Sequence, residues 1–166
     1  MTVLARKELR VLVELRLARE EDLDALEWYG RHSADRALIR ETYAAQERGQ
    51  VEMLLGVLGR FPVGQAWLDL RRIPRVRIAT IWAVRVFDFM RGHGIGRWLM
   101  DHAELRLKEQ HGASVAEVEV EPGSPAAAMY ARRGYEPVGE RTVPFSVGGR
   151  TIDVVHLVMH KRLDAT

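Results

Sequence analysis

Apolar and polar positions follow two periods along this chain. Val11, Val13, Leu15 and Leu17 alternate with Leu12, Glu14 and Arg16, the two-residue period of a half-buried strand. Glu20, Glu21 and Asp22 then place acid at the head of a predicted helix carrying Leu23, Leu26 and Tyr29, where the helix dipole favours it, and Gly30 ends it. Ser33 is read as the N-cap of a second helix through Arg48, closed by Gly49. Apolar runs over 51–58 and 63–70 flank Gly59-Arg60-Phe61-Pro62 and predict a hairpin. Residues 78–87, rich in β-branched and aromatic side chains, predict a further strand, and 97–108 fit an amphipathic helix. A fifth strand is expected over 114–121. Ser124-Pro125 then supplies an N-cap and first-turn proline for a short helix over 126–133, stopped by Gly134. Residues 135–147 and 151–159 read as a closing strand pair joined through Gly148-Gly149, while 1–9 form a lead-in with no assigned element. The order is β-α-α-β-β-β-α-β-α-β-β, an α/β (α+β) pattern. With no repeat, linker or low-complexity segment, one domain is expected over 1–166.

Composition narrows the class more than the function. At 166 residues the chain is long enough for a full hydrophobic core. It has no bilayer-length apolar run and no charged-then-apolar leader, and it lacks Cys, so disulfides and thiolate metal sites are excluded. A cytoplasmic location is the expectation. Formal charge is only +2, with Lys confined to positions 7, 108 and 161, so the basic character is arginine spread along the chain. That argues against nucleic acid as partner, because a nucleic-acid footprint concentrates charge on one face.

The chemistry centres on Arg91-Gly92-His93-Gly94-Ile95-Gly96, between the 78–87 strand and the helix after it. A strand, a glycine turn and a helix aim free backbone N–H groups and the positive end of a dipole at one point, which makes an anion site. Glycine is required where a Cβ would stop a phosphate from reaching the backbone. The P-loop pattern fails because no Lys follows the glycines. The dinucleotide pattern fails because Arg97 stands where its last Gly belongs, so Glu117, about 20 residues on, is a decoy for the ribose-binding acid. The pattern that is met is Arg/Gln-x-x-Gly-x-Gly/Ala, through Arg91, Gly94 and Gly96. The bland alternative is a tight strand-to-helix turn with no ligand.

That loop resembles the pyrophosphate loop of the GNAT superfamily, the acyl-CoA-dependent N-acyltransferases. The resemblance extends over about residues 10–163, through Ala18-Arg19-Glu20-Glu21-Asp22, Pro62-Val63-Gly64, Met129-Tyr130-Ala131-Arg132-Arg133-Gly134-Tyr135 and Leu157-Val158-Met159-His160-Lys161. It implies the GNAT fold, a mixed, mostly antiparallel sheet with helices on both faces. It further implies acetyl-CoA as acyl donor, a primary amine as acceptor, no metal, and a homodimer. With no Cys to carry an acyl-enzyme, direct attack in a ternary complex is implied. Two departures stand out: Gly123 or Ser124 replaces a frequent Asn before the fourth helix, and Asp88-Phe89-Met90 replaces a frequent Pro before the glycine loop.

Carried over residue by residue, the resemblance places CoA on Val84, Arg85 and Val86 through their backbone, and on Arg91, Gly92, His93, Gly94, Ile95, Gly96 and Arg97. Tyr130 is the implied general acid for the departing thiolate; its bland reading is a core tyrosine beside Met129. The base is more open, since no carboxylate lies in 77–87. Glu117, Glu119 and Glu121 share a strand face by period, and Glu121 is preferred as base over Asp69 and Glu119, against the reading of a solvated face paired with Arg. His156 and His160, about 13 Å apart on a strand, are too distant to chelate one ion. Trp28, Tyr29 and Tyr43 are expected on the first two helices, which would wall the acceptor cleft, and are given no site role. Two other readings stay open: a non-catalytic acyl-CoA-binding domain, and transfer to a protein or aminoacyl-tRNA amine. A contiguous arginine surface at the cleft would favour tRNA, and a deep pocket a small amine.

Overall fold

The computed structural model describes residue 5 and residues 7–147 and 149–164, so Gly148 of the expected closing turn lies outside the described residues. Seven strands form one sheet in the order β1-β2-β3-β4-β5-β7-β6. They are β1 (Val13–Leu17), β2 (Val51–Leu58), β3 (Phe61–Asp69), β4 (Ile78–Val86), β5 (Val115–Val120), β6 (Glu136–Val147) and β7 (Arg150–Arg162). Only β4 and β5 run parallel. The α-helices are α1 (Arg36–Glu47), α2 (Ile73–Val76), α3 (Ile95–Glu109) and α4 (Pro125–Arg132).

β2 and β3 are the middle of the structure, nearly all of their residues buried. Their alternate side chains feed two separate cores, as a strand covered on both faces must. Met53, Leu55, Val57 and Trp67 pack with Leu23, Leu26, Ile39 and Ala45 on the α1 face. Leu54, Val63, Ala66 and Leu68 pack with Ile95, Leu99, Met100, Ala103 and Leu107 of α3 on the other. A fully buried leucine such as Leu99 contributes about 2 kcal/mol from its removal from water alone. Gly64 lets α3 come this close: a Cβ there would meet Leu99 Cδ1 at 2.8 Å and Ile95 Cγ2 at 3.1 Å.

The expected helix over 20–29 is instead two 3-10 turns, Glu20–Asp22 and Ala25–Glu27. The acids that favour a helix start are used locally. Asp22 accepts from the Arg19 N–H at 2.7 Å and from the Arg16 guanidinium at 2.6 and 2.8 Å. Such side-chain bonds compete with helix propagation. Trp28, Tyr29 and Gly30 then stand at φ 46°, 58° and 85°, which no α-helix can continue. Trp28 and Tyr29 therefore sit past these turns rather than on a helix. Ser33 does not cap α1 either; it opens a third 3-10 turn, Ser33–Asp35, and the cap position falls to Asp35. The short α2 before β4 was not anticipated by the pattern.

Candidate active site

Gly92 and Gly94 take left-handed φ values of 79° and 78°, and Gly94 occupies the N-cap position of α3 without a side-chain cap. The first helical bond runs from the Trp98 N–H to the Gly94 carbonyl. Ahead of it the N–H groups of Ile95, Gly96 and Arg97 meet no partner among the described residues, so the dipole end of a fifteen-residue helix is uncovered. A Cβ added at Gly96 would meet only Val86 Cγ2, at 3.5 Å, so glycine there leaves space rather than relieving a clash. His93 Nδ1 donates to the Arg91 carbonyl at 2.9 Å and so ties the turn to itself. Arg91 is held by Asp88 at 3.0 Å, and Asp88 also pairs with Arg31, so an anion must compete for this guanidinium.

Beside the turn the sheet forks. β4 pairs with β5 only at Ile78, Ala79 and Thr80, and beyond Thr80 the two strands part. The β4 edge facing β5 is therefore left without a strand partner from Ile81 onward. On its other side β4 matches Trp82 to Trp67 and Arg85 to Gln65, so Ala83 and Val84 stand opposite the single residue Ala66. This is a β-bulge, with Ala83 at φ 50°. A cavity of about 770 Å³ opens here, lined by Val84, Arg85 and Val86 of the free edge, Arg91 and Gly96 of the turn, and Pro125, Ala126, Met129 and Tyr130 of α4.

α4 exists because Ser124 accepts from the Ala127 N–H at 3.2 Å and Pro125 pre-sets its first turn. It carries Tyr130, which is 6% exposed and also lines a smaller cavity of about 370 Å³ in the fork, together with Trp82, Ala83, Glu119 and Glu121. The Tyr130 hydroxyl has no hydrogen bond among the described residues, yet it is not a buried unpaired atom, so it keeps some accessible surface. Burial pushes its pKa above the ordinary tyrosine value, and the proton stays on the phenol at neutral pH. The ring stacks edge-on against Tyr135 at 5.4 Å, and Tyr135 donates to Glu104 at 3.0 Å. Glu104 also takes Arg133 at 3.2 Å and Lys161 at 2.5 Å, which fixes α3, the end of α4 and β7 to one another behind Tyr130.

The three β5 carboxylates have different fates. Glu117 is 1% exposed and bonded to Arg72 at 2.7 Å, His160 at 2.8 Å and Thr80 at 3.2 Å. Burial alone would raise its pKa, but the His160 and Arg72 bonds outweigh it and hold it below the ordinary carboxylate value. Glu117 is thus closed off, as befits a decoy. Glu119 is paired with Arg141 and lies 3.7 Å from His156. Glu121 stands just past the end of β5, exposed, and its side chain has no partner among the described residues. Asp69 is taken by Arg71. Asp69, Arg71, Arg72, Thr80, Trp82, Glu119, Arg141 and His156 line a third cavity of about 420 Å³ along the fork. His156 and His160 thus face different carboxylates, and no metal-holding cluster occurs among the described residues.

Of the residues singled out in the sequence, Val84, Arg85, Val86, Arg91, Gly96 and Tyr130 share the cavity of about 770 Å³, and Glu121 lines the smaller one that also bears Tyr130. Gly92, His93, Gly94, Ile95 and Arg97 belong to the turn or the helix start and do not line it. Arg31 and His32 join the cavity wall unannounced, and Trp28, named in the sequence only as a cleft-wall aromatic without a site role, lines it with them. His32 Nδ1 accepts from the Arg85 guanidinium at 3.1 Å, and Arg85 also donates to Asp35 at 3.1 Å. Desolvation, then the Arg85 charge, hold His32 below its ordinary pKa. Their irregular backbone has no period, so only the aromatic and basic composition of 28–32 pointed to them.

A model of the acetyltransferase (GNAT) family matches residues 8–135. No curated protein matches the chain. Among solved structures, a ribosomal-protein-alanine N-acetyltransferase from Brucella melitensis superposes with TM-score 0.71 at 22% identity, covering 90% of this chain and 99% of that one. The ribosomal-protein-S18-alanine N-acetyltransferase from Escherichia coli gives 0.69 at 16% identity, covering 93% and 96%. A variant spermidine N-acetyltransferase from Vibrio cholerae gives 0.72 at 16%, covering 91% and 94%. At these identities the superpositions speak for the fold alone, whereas the family match spans most of the sequence and includes the glycine turn and Tyr130. The chain belongs to the acetyltransferase (GNAT) family.

Proposed function

We propose that this chain is an N-acetyltransferase that moves an acetyl group from acetyl-CoA to a primary amine by direct attack in a ternary complex. The observation that carries the reading is the continuity of one cavity from the glycine turn, along the free edge of β4, to Tyr130. The turn offers uncapped N–H groups to a pyrophosphate, and the free edge offers backbone bonds to an extended pantetheine arm, as an added strand would use them. Acetyl-CoA would supply an activated acyl carbon with a thiolate leaving group. Tyr130 would then hold a proton available to that thiolate. Its raised pKa exceeds that of an ordinary thiol, about 8.5, so it serves best as a hydrogen-bond donor to the developing thiolate.

Glu121 is the proposed base, because its carboxylate is unpartnered among the described residues and lines the same small cavity as Tyr130. One observation favours Glu119 as a second reading: it lines both that cavity and the one bearing His156, though Arg141 holds it. Glu121→Gln and Glu119→Gln distinguish them, since loss of the base should lower kcat roughly 10²-fold or more and shift the acidic limb of its pH profile.

The acceptor is proposed to be a small or peptide amine. Arg71, Arg72 and Arg141 do converge beside the fork, but each is paired with Asp69, Glu117 or Glu119, so these three offer little free charge to a tRNA. A cytoplasmic homodimer acting as a single domain is proposed with this reading, and light scattering at micromolar concentration giving only an 18.9 kDa species would remove the dimer. No helix among the described residues is long and apolar enough to cross a membrane. The decisive experiment is an acceptor screen with acetyl-CoA, reading thiol release over peptide N-termini, spermidine and small primary amines. Tight acetyl-CoA binding with no release from any acceptor would favour a non-catalytic acyl-CoA-binding domain.

A further inference from the structure

We infer that Gln65 is a positioning residue for acyl transfer: its side-chain amide clamps the Ala83 carbonyl and so holds the β4 bulge that sets how residues 84–86 present their side chains and backbone to the cleft. The inference rests on the reading above that the free edge of β4 receives the acyl donor. Gln65 is 2% exposed, an uncommon place for an amide in a strand buried on both faces. Its Nε2 donates to the Ala83 carbonyl at 3.0 Å. A partly buried carbonyl displaced from its ladder is satisfied by such a donor. Ala83 also sits at φ 50°, a left-handed conformation that an alanine keeps only where its surroundings impose it.

The consequence lies downstream of the bulge. With it, Gln65 stands opposite Arg85 and Gly64 opposite Val86. Arg85 then reaches His32 and Asp35, and Val86 lies against Gly96 of the glycine turn. A regular ladder would instead place Gln65 opposite Val84 and Gly64 opposite Arg85. One residue of slip turns every side chain over to the other face and exchanges which backbone groups point along the free edge. A single buried amide thus sets the register of the strand segment that lines the main cavity.

The test replaces Gln65 with Met, similar in size but with no donor, and relieves the strain separately with Ala83→Gly, since glycine takes positive φ freely. Calorimetry with acetyl-CoA should show Gln65→Met weakening binding about tenfold or more, and Ala83→Gly in the same chain restoring it to within about threefold of wild type. Unchanged affinity in a folded Gln65→Met protein, or a loss that Ala83→Gly does not reverse, overturns the inference. Should Gln65→Met fail to fold, the double variant alone decides: near-wild-type affinity supports the clamp, and a loss above about tenfold overturns it. If the wild type binds no acetyl-CoA, the proposed function fails, and cross-strand amide contacts by NMR judge the clamp by itself. The 65–85 contact should give way to 65–84 in Gln65→Met, and its persistence overturns the clamp.

Discussion

Two helix N-termini meet at the same cavity and are finished in opposite ways. α4 is capped by its own sequence: Ser124 accepts from the Ala127 N–H, and Pro125 removes a donor that would have needed a partner. α3 begins at a left-handed glycine with no side-chain cap, so three N–H groups and the dipole end are left for something from outside. Both helices are well packed on the core, α3 through Ile95, Leu99 and Met100, and α4 through Tyr130. Stability therefore does not explain the difference. A helix end that is satisfied internally can fix a side chain in place, whereas one left open can bind. On the proposed reading α4 serves chemistry and α3 serves binding.

The strongest way to break that division is Tyr130→Phe. It keeps the ring against Tyr135 and removes only the hydroxyl, so kcat should fall roughly 10²–10⁴-fold while CoA affinity by calorimetry stays level. A kcat within twofold of wild type, with chemistry limiting, would return Tyr130 to the core. Gly96→Val attacks the other helix. Its Cβ meets little protein, so the fold should persist, but the added methyls occupy the space an anion must enter. The loss of two charge-assisted bonds corresponds to roughly a hundredfold in CoA affinity. Unchanged binding would mean that the open helix end is only a turn.

Glu117 sharpens the contrast by being a polar cluster with nothing left over. Glu117→Gln should cost about 2 kcal/mol in chemical denaturation and leave CoA affinity unchanged, as a purely structural network requires. Its folded pKa lies below the ordinary 4.5, so its stabilisation is present above that pH and is lost as pH falls through the folded value. The variant should lose less stability than wild type on acidification over that window. The smallest effect belongs to Ser124→Ala, about 1 kcal/mol of stability from the lost cap. A large fall in CoA affinity in that variant would show that the Ser124 hydroxyl belongs to the binding site after all.

Regular periods were readable wherever a segment meets one continuous surface. The apolar run over 51–58, ended by the turn at Gly59, gave β2 to the residue, and the Ser124-Pro125 cap and Gly134 stop placed α4 within one residue, because turn and cap signals act over a few residues. The acids at 20–22 misled for a related reason. They satisfy a helix start and a local carboxylate turn equally well, and the choice was made by Arg16 from β1, together with three successive left-handed residues.

By itself the sequence determined the glycine turn, the succession of the seven strands and the family, since each depends on residue types at short, fixed spacing. It also supplied Tyr130 and all three β5 carboxylates as candidates. The tertiary structure alone decided which of those carboxylates is shut away and which is free, because pairing with Arg72, His160 and Arg141 spans 22 to 45 residues of chain. It likewise decided where β4 leaves β5, and that Gln65 meets Ala83. No local pattern encodes a bulge whose clamp lies on the neighbouring strand; the hydrogen-bond demand of one displaced carbonyl is met only once the sheet has formed.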